Sequence, residues 1–476
     1  MVFSEPAFLY AFLPACLLVY WLGGWRVRNQ FLIVVGTFFY LSGGRAQVLL
    51  LAASILVNHF TAVAIHKWRA PHARACRVLI TTVVAANVGA LVLWKYGSFL
   101  LRQTTGVLGS AGLEVNASLD LALPIAISFY TFQCISYLID VWRGTARPAP
   151  RFVDFAAYIL LFPHLIAGPI VRYADIEDDL LQVPRHRFAD FVDGAPRFFW
   201  GLGKKVLIAD HVAGIANIAF QLPDGRMTAG AAWVGAIAFA VQIYFDFSGY
   251  SDMAIGLARM FGFHFPENFN RPYSAVSMTD FWRRWHMSLS SWFRDYVYIP
   301  LGGNRSGPRR TYVNLAIVFL LTGMWHGAAS TFLVWGCYHG ACLIIERLTG
   351  TGATGPVRFA PARKALTFAL VCIGWTWFRA ISLEQGLRMT RLMVLPTDLS
   401  LPPVLEDAIT NQRLTYLAIG LLVLFLPRQA HLGQWISAGS SRTALVLRTV
   451  AVGVIAPVAC MYALSSSFSP FLYFQF

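Results

Sequence analysis

Tyr312-Val-Asn-Leu-Ala-Ile-Val-Phe-Leu-Leu-Thr-Gly-Met-Trp-His-Gly327 is an apolar run that closes on an imidazole. A histidine where lipid or buried protein is expected is expensive, so its presence asks for a reason. Neutral histidine is also the side chain whose ordinary pKa suits proton transfer near neutral pH. Either chemistry or packing accounts for His326, and the rest of the chain decides which.

The chain has 476 residues, 57% of them hydrophobic and 13% charged. Soluble proteins carry roughly 25% charged residues. The composition is that of an all-α, multi-pass membrane protein, with residues 1–476 read as one integral-membrane domain. Apolar stretches recur from 6–22 to 444–464, several too short to cross alone. They predict about ten or eleven crossings plus interfacial or re-entrant pieces. Glu5 stands where a secretory leader would be basic, and no small-x-small site closes the first stretch, which reads as a retained helix.

Seven cysteines form no CxxC pair and no regular spacing, so neither a disulfide framework nor a metal site is expected. The net charge of +15 gathers at Arg26/Arg28, at Lys67/Arg69/Arg74/Arg77 and at Arg143/Arg147/Arg151. The positive-inside rule puts these loops in the cytoplasm and the N-terminus outside. No soluble basic domain exists to carry nucleic acid. Gly201-Leu-Gly-Lys-Lys205 lacks both the first glycine and the closing Ser/Thr of a phosphate loop.

From Phe281 to Ile299, apolar residues recur at steps of four and three, which predicts one amphipathic interfacial helix. Ser277 and Asp280 make a capping pair at its start. His286 falls at the border between its apolar stripe and its charged side. The Gly-rich, basic segment that follows, through Arg305, Arg309 and Arg310, is expected on the cytoplasmic side.

Six segments, in order, resemble the membrane-bound O-acyltransferase superfamily, and within it the bacterial branch typified by the alginate O-acetylation membrane protein. They are Ser128-Phe-Tyr-Thr-Phe-Gln-Cys-Ile-Ser-Tyr-Leu-Ile-Asp140, Phe162-Pro-His-Leu-Ile-Ala-Gly-Pro169 and Tyr244-Phe-Asp-Phe-Ser-Gly-Tyr-Ser-Asp252. Pro266-Glu-Asn-Phe-Asn-Arg-Pro-Tyr273, Phe281-Trp-Arg-Arg-Trp-His-Met-Ser-Leu-Ser290 and Gly323-Met-Trp-His-Gly327 complete the set. The resemblance implies helices around a central tunnel, with His326 as the essential catalytic residue and His286 as the second motif histidine. It also implies a bacterial inner-membrane enzyme with no bound cofactor. Acetyl-CoA or another acyl thioester would be the donor, and an exported polysaccharide such as alginate the eventual acceptor. Periplasmic polysaccharide acetyltransferases would be partners, and lipid the surroundings.

Acyl transfer needs a base for the attacking hydroxyl and a donor for the developing oxyanion. His326 is the candidate base. His286 is the candidate to polarise the thioester carbonyl or to orient the donor. Trp325, Asp246, Ser248 and Asp252 are expected to line the tunnel, the polar three as a mutually satisfied network. Arg283, Arg284, Arg294 and Arg305 are candidates for the phosphates of coenzyme A or an acidic carrier. His164 and His339 read as packed or supporting. The aromatic tail Phe468-Ser-Pro-Phe-Leu-Tyr-Phe-Gln-Phe476 offers Tyr473 as an acyl relay. The competing reading is a transporter or flippase without covalent chemistry. Such folds commonly show two related halves, and no repeat is visible here.

Overall fold

The computed structural model describes residues 1–43, 47–110, 123–182, 187–427, 429–430, 432–465 and 471–472. All regular structure among them is helical. Two compact units emerge: one of Met1, Tyr10–Phe191 and Ala258–Pro266, the other of Val2–Leu9, Val192–Leu257 and Glu267–Phe476. Among the described residues, four helices are long and apolar enough to cross a bilayer: Val48–Trp68, Ala73–Thr105, Ala229–Met260 and Arg442–Ser465.

In the first unit, only 17% of the most apolar window of Ala73–Thr105 is buried against the rest of the described chain. It is tied to Val48–Trp68 by a reciprocal amide pair. Asn58 Nδ2 donates to Asn87 Oδ1 at 3.2 Å and Asn87 Nδ2 to Asn58 Oδ1 at 2.9 Å. Such pairs hold helices together where hydrophobicity cannot discriminate. Two arginines that the charge pattern assigned to topology are structural as well. Arg28 is buried, donating to the Leu180 carbonyl at 2.9 Å, and Arg151 clasps buried Asp154 at 2.7 Å. His164 sits past the break between helices Phe152–Ile159 and Phe162–Leu165, its Nε2 2.8 Å from the Tyr158 carbonyl.

The second unit is built on Ala229–Met260, 78% of whose most apolar window is buried. At 1.5 Å per residue it runs about 48 Å. It passes without interruption through Asp246 and Asp252, because each carboxylate meets a basic partner within the unit. Helix Arg187–Gly203 crosses it backbone against backbone. A Cβ on Gly201 would lie 2.5 Å from the Gly249 carbonyl oxygen, and one on Gly256 2.5 Å from the Phe198 nitrogen. The glycines of Gly201-Leu-Gly-Lys-Lys205 thus serve helix packing, in line with the failed phosphate-loop pattern. Gly256→Ala is expected to cost about 1–3 kcal/mol as the helices are forced apart. Gly453→Ala, where a Cβ would meet nothing within 4 Å, should be near neutral. Thermal unfolding of both variants in one detergent checks this.

Helices Gly307–His326 and Ser330–Thr349 form a tight hairpin. Cβ atoms on Gly323 and Gly336 would each lie 2.4 Å from a carbonyl oxygen of the facing helix, Phe332 and Phe319 respectively. That closeness sets His326, the last residue of the first helix, against Trp335 near the start of the second.

The single amphipathic helix expected over 281–299 does not form. The chain makes Met278–Trp282, then Met287–Phe293, then a π-helical turn Arg294–Tyr298. The Ser277–Asp280 cap is present, with the Asp280 N–H donating to Ser277 Oγ at 2.9 Å. The break comes at His286, whose φ of 43° is in the left-handed region. Backbone bonds to the 268–270 segment hold it there: Met287 N–H to the Asn268 carbonyl and Asn270 N–H to the Arg284 carbonyl, both 2.9 Å. Apolar spacing is blind to a second segment that competes for the backbone. Instead of bordering a charged face, His286 is fully buried.

Candidate active site

The Gly323–Gly336 crossing builds an aromatic cage around His326, which is 6% exposed. Its ring centroid lies 4.9 Å from Trp325, 4.9 Å from Trp335 and 5.1 Å from Phe378, all edge-on. Trp325 also contacts His286 at 6.1 Å, so one indole stands between the two candidate histidines. His286 rests edge-on against Phe247 at 4.6 Å. Burial pushes its pKa down to about 3, so it is neutral across the physiological range. Trp335 continues the cage to His339 at 5.0 Å, and Gly374 leaves room for that ring: a Cβ there would lie 2.5 Å from His339 Nε2.

A polar layer adjoins the cage. Asn268 reaches His286 Nδ1 with Oδ1 at 3.1 Å and Ser251 Oγ with Nδ2 at 3.1 Å. Below Ser251, Asp252 binds Arg197 at 2.6 Å and Lys204 at 2.6 Å, and Arg197 binds Glu267 at 2.8 Å. Asp246 pairs with Lys205 at 2.7 Å, and Lys205 with Asp210 at 2.7 Å. A cavity of about 90 Å³ opens here, its polar wall including Arg197, Lys204, Ser248, Asp252, Glu267 and Asn268.

Of the residues expected to line a tunnel, Ser248 and Asp252 face this cavity. Asp246 is instead locked to Lys205, and Trp325 lies between the histidines. Among the arginines, Arg284 is held by Asp280 at 2.7 Å and Arg294 by Asp295 at 2.6 Å. Arg283 and Arg305 are exposed, the former donating to Thr354 Oγ1 at 3.3 Å. Tyr473 lies outside the described residues. Immediately before it, Phe471 stacks on Tyr250 at 4.7 Å, and the Leu472 N–H donates to Asp246 Oδ2 at 2.8 Å.

Sequence reasoning missed Arg197, Lys204, Lys205 and Asn268. A signal existed for the bases: two aspartates inside an otherwise apolar run require cations, and Lys204 and Lys205 open the neighbouring apolar stretch. Asn268 lies in a quoted motif but carries no charge or periodicity that would single it out.

On this helical membrane scaffold His326 is thus enclosed by three aromatic rings, and a second buried histidine, His286, contacts one of the same indoles. Residues 146–384 match the membrane-bound O-acyltransferase (MBOAT) family. The chain belongs to that family, and it is a multi-pass membrane O-acyltransferase. It is 41% identical to a probable alginate O-acetylase of Pseudomonas putida, the match covering the whole of both chains. It is 33% identical to a peptidoglycan O-acetyltransferase of Helicobacter pylori, over 100% of this chain and 98% of that one. A teichoic acid D-alanyltransferase of Bacillus subtilis is 29% identical over 53% of this chain and 68% of its own.

Proposed function

We propose that this protein is an O-acetyltransferase of the bacterial inner membrane that serves an exported polysaccharide. It would take acetyl from a cytoplasmic thioester, acetyl-CoA or an acyl carrier, through a passage among its ten or eleven or so membrane segments. The single observation that carries the chemistry is His326, caged by Trp325, Trp335 and Phe378 and almost closed to water. In the proposed step the hydroxyl oxygen of the acceptor attacks the thioester carbonyl carbon while His326 takes its proton. The C–S bond then breaks, the ester forms, and the thiolate leaves as free thiol with the proton that His326 returns. His286 assists beside Trp325. The full-length likeness to the probable alginate O-acetylase supports acetyl as the group and alginate or a related polymer as the destination.

The docked Phe471-Leu472 segment supports a relay in which Tyr473 receives the acetyl group and passes it to a periplasmic acetyltransferase partner. Exposed Arg283 and Arg305 are where the donor's phosphates would be met. The test is purified protein in lipid vesicles with radiolabelled acetyl-CoA, wild type against Tyr473→Phe, following free coenzyme A and label on protein. Thiol release and label in wild type, with label lost in Tyr473→Phe, is the expected result. Label retained in Tyr473→Phe removes the relay. No thiol release with either acetyl-CoA or acetylated carrier removes the acetyltransferase reading in favour of another acyl group.

A further inference from the structure

Asn268 lies outside both segments that carry the candidate histidines, yet its backbone carbonyl and its Oδ1 grip the His286 turn while its Nδ2 ties it to Ser251. Its backbone carbonyl accepts from the Met287 N–H at 2.9 Å. Its Oδ1 accepts from Ser288 Oγ at 2.8 Å and from the Ser288 N–H at 3.3 Å, and lies 3.1 Å from His286 Nδ1. Its Nδ2 donates to Ser251 Oγ at 3.1 Å.

These contacts decide where the proton of His286 sits. The Ser288 N–H can only donate, so the atom of Asn268 that faces it is the oxygen; the flipped amide would set two donors against each other. Oδ1 has no proton to give, so Nδ1 facing it at 3.1 Å must bring one, or two lone pairs would oppose. Ser288 Oγ stands 3.4 Å from Nδ1 and does not reverse this, since its own proton goes to Oδ1 at 2.8 Å. A neutral ring protonated on Nδ1 carries its lone pair on Nε2.

We propose that Asn268 is a positioning residue that locks His286 in the Nδ1–H tautomer, so that Nε2 acts in the reaction as a hydrogen-bond acceptor. The assignment rests on the reading above that His286 takes part in acyl transfer. It rules out the first of the roles that the sequence left open to His286, polarising the thioester carbonyl. Polarising the thioester carbonyl requires an N–H on the working nitrogen, and that nitrogen has none. Orienting a proton-bearing group, the acceptor hydroxyl or the departing thiol, requires a lone pair, which it has. Polarisation of the carbonyl then falls to another donor. The lock resembles in logic the carboxylate that fixes a catalytic imidazole, with a neutral amide in its place. An amide suits a buried ring: it sets the tautomer without a negative charge that would favour the imidazolium.

The experiment uses full-length protein labelled with ¹⁵N-histidine in lipid, His286 being assigned by its disappearance in His286→Gln. Wild type is expected to show a pyrrole-type Nδ1 and a pyridine-type Nε2. In Asn268→Ala the two tautomers should mix, and turnover should fall roughly tenfold to a hundredfold with little change in KM. Asn268→Asp, which still accepts from Nδ1–H, should keep the Nδ1–H signal. A pyrrole-type Nε2 in wild type overturns the proposal, and that reading needs no folded Asn268 variant. A wild-type tautomer pattern with full turnover in folded Asn268→Ala overturns it too. Full turnover in His286→Gln overturns the participation of His286 itself, and with it the functional meaning of the lock, whatever the spectrum of the wild type.

Discussion

His326→Ala, folded and reconstituted in lipid, should release free coenzyme A from acetyl-CoA at least about 10²–10⁴ times more slowly than wild type, the usual worth of a positioned general base. The expectation follows from the cage. Trp325, Trp335 and Phe378 surround the ring edge-on, so water has little room to replace the imidazole as proton acceptor. Because the residue is the last of its helix, truncation leaves the Gly323–Gly336 crossing in place, and the fold should survive. Thermal unfolding of the variant beside the turnover assay separates the two effects. Equal turnover in wild type and variant would remove His326 from the chemistry and return it to packing.

The largest stability effect is expected at Arg197. Its guanidinium is fully enclosed and holds both Asp252, at 2.6 Å, and Glu267, at 2.8 Å. Arg197→Ala would strand Asp252 with Lys204 as its remaining cation and empty the space beside Gly433, whose Cβ would lie 2.5 Å from the guanidinium carbon. Removing one member of a buried ion pair costs roughly 3–5 kcal/mol, since the partner's desolvation is no longer offset. Glu267→Gln should cost far less, about 1 kcal/mol or under, because that carboxylate is 27% exposed and water can replace its partner. Parallel unfolding midpoints of the two variants in one detergent measure the difference. Midpoints that fall equally would mean that the network is not organised around Arg197.

The sequence by itself determined the class of this protein. Its apolar runs force a helical membrane fold, because backbone polar groups in hydrocarbon must be satisfied within the segment. Its motifs put it among the O-acyltransferases and singled out His326 and His286. Local chemistry was legible where partners are local, as in the Ser277–Asp280 cap. What the sequence could not give was anything set by distant segments. The helix expected over 281–299 is broken because residues 268–270 compete for its backbone. Asp246 and Asp252 sit within a buried helix because Lys205, Lys204 and Arg197 come to meet them. Arg284 and Arg294, grouped by charge with the donor-binding set, are by contrast held by carboxylates four and one residues away, local pairs that the charge reading passed over. The proton on His286 follows the same rule: a titratable ring is named by its sequence, but its tautomer is set by whichever neighbour can only accept. That neighbour, the amide oxygen of Asn268, reaches the ring through tertiary structure alone.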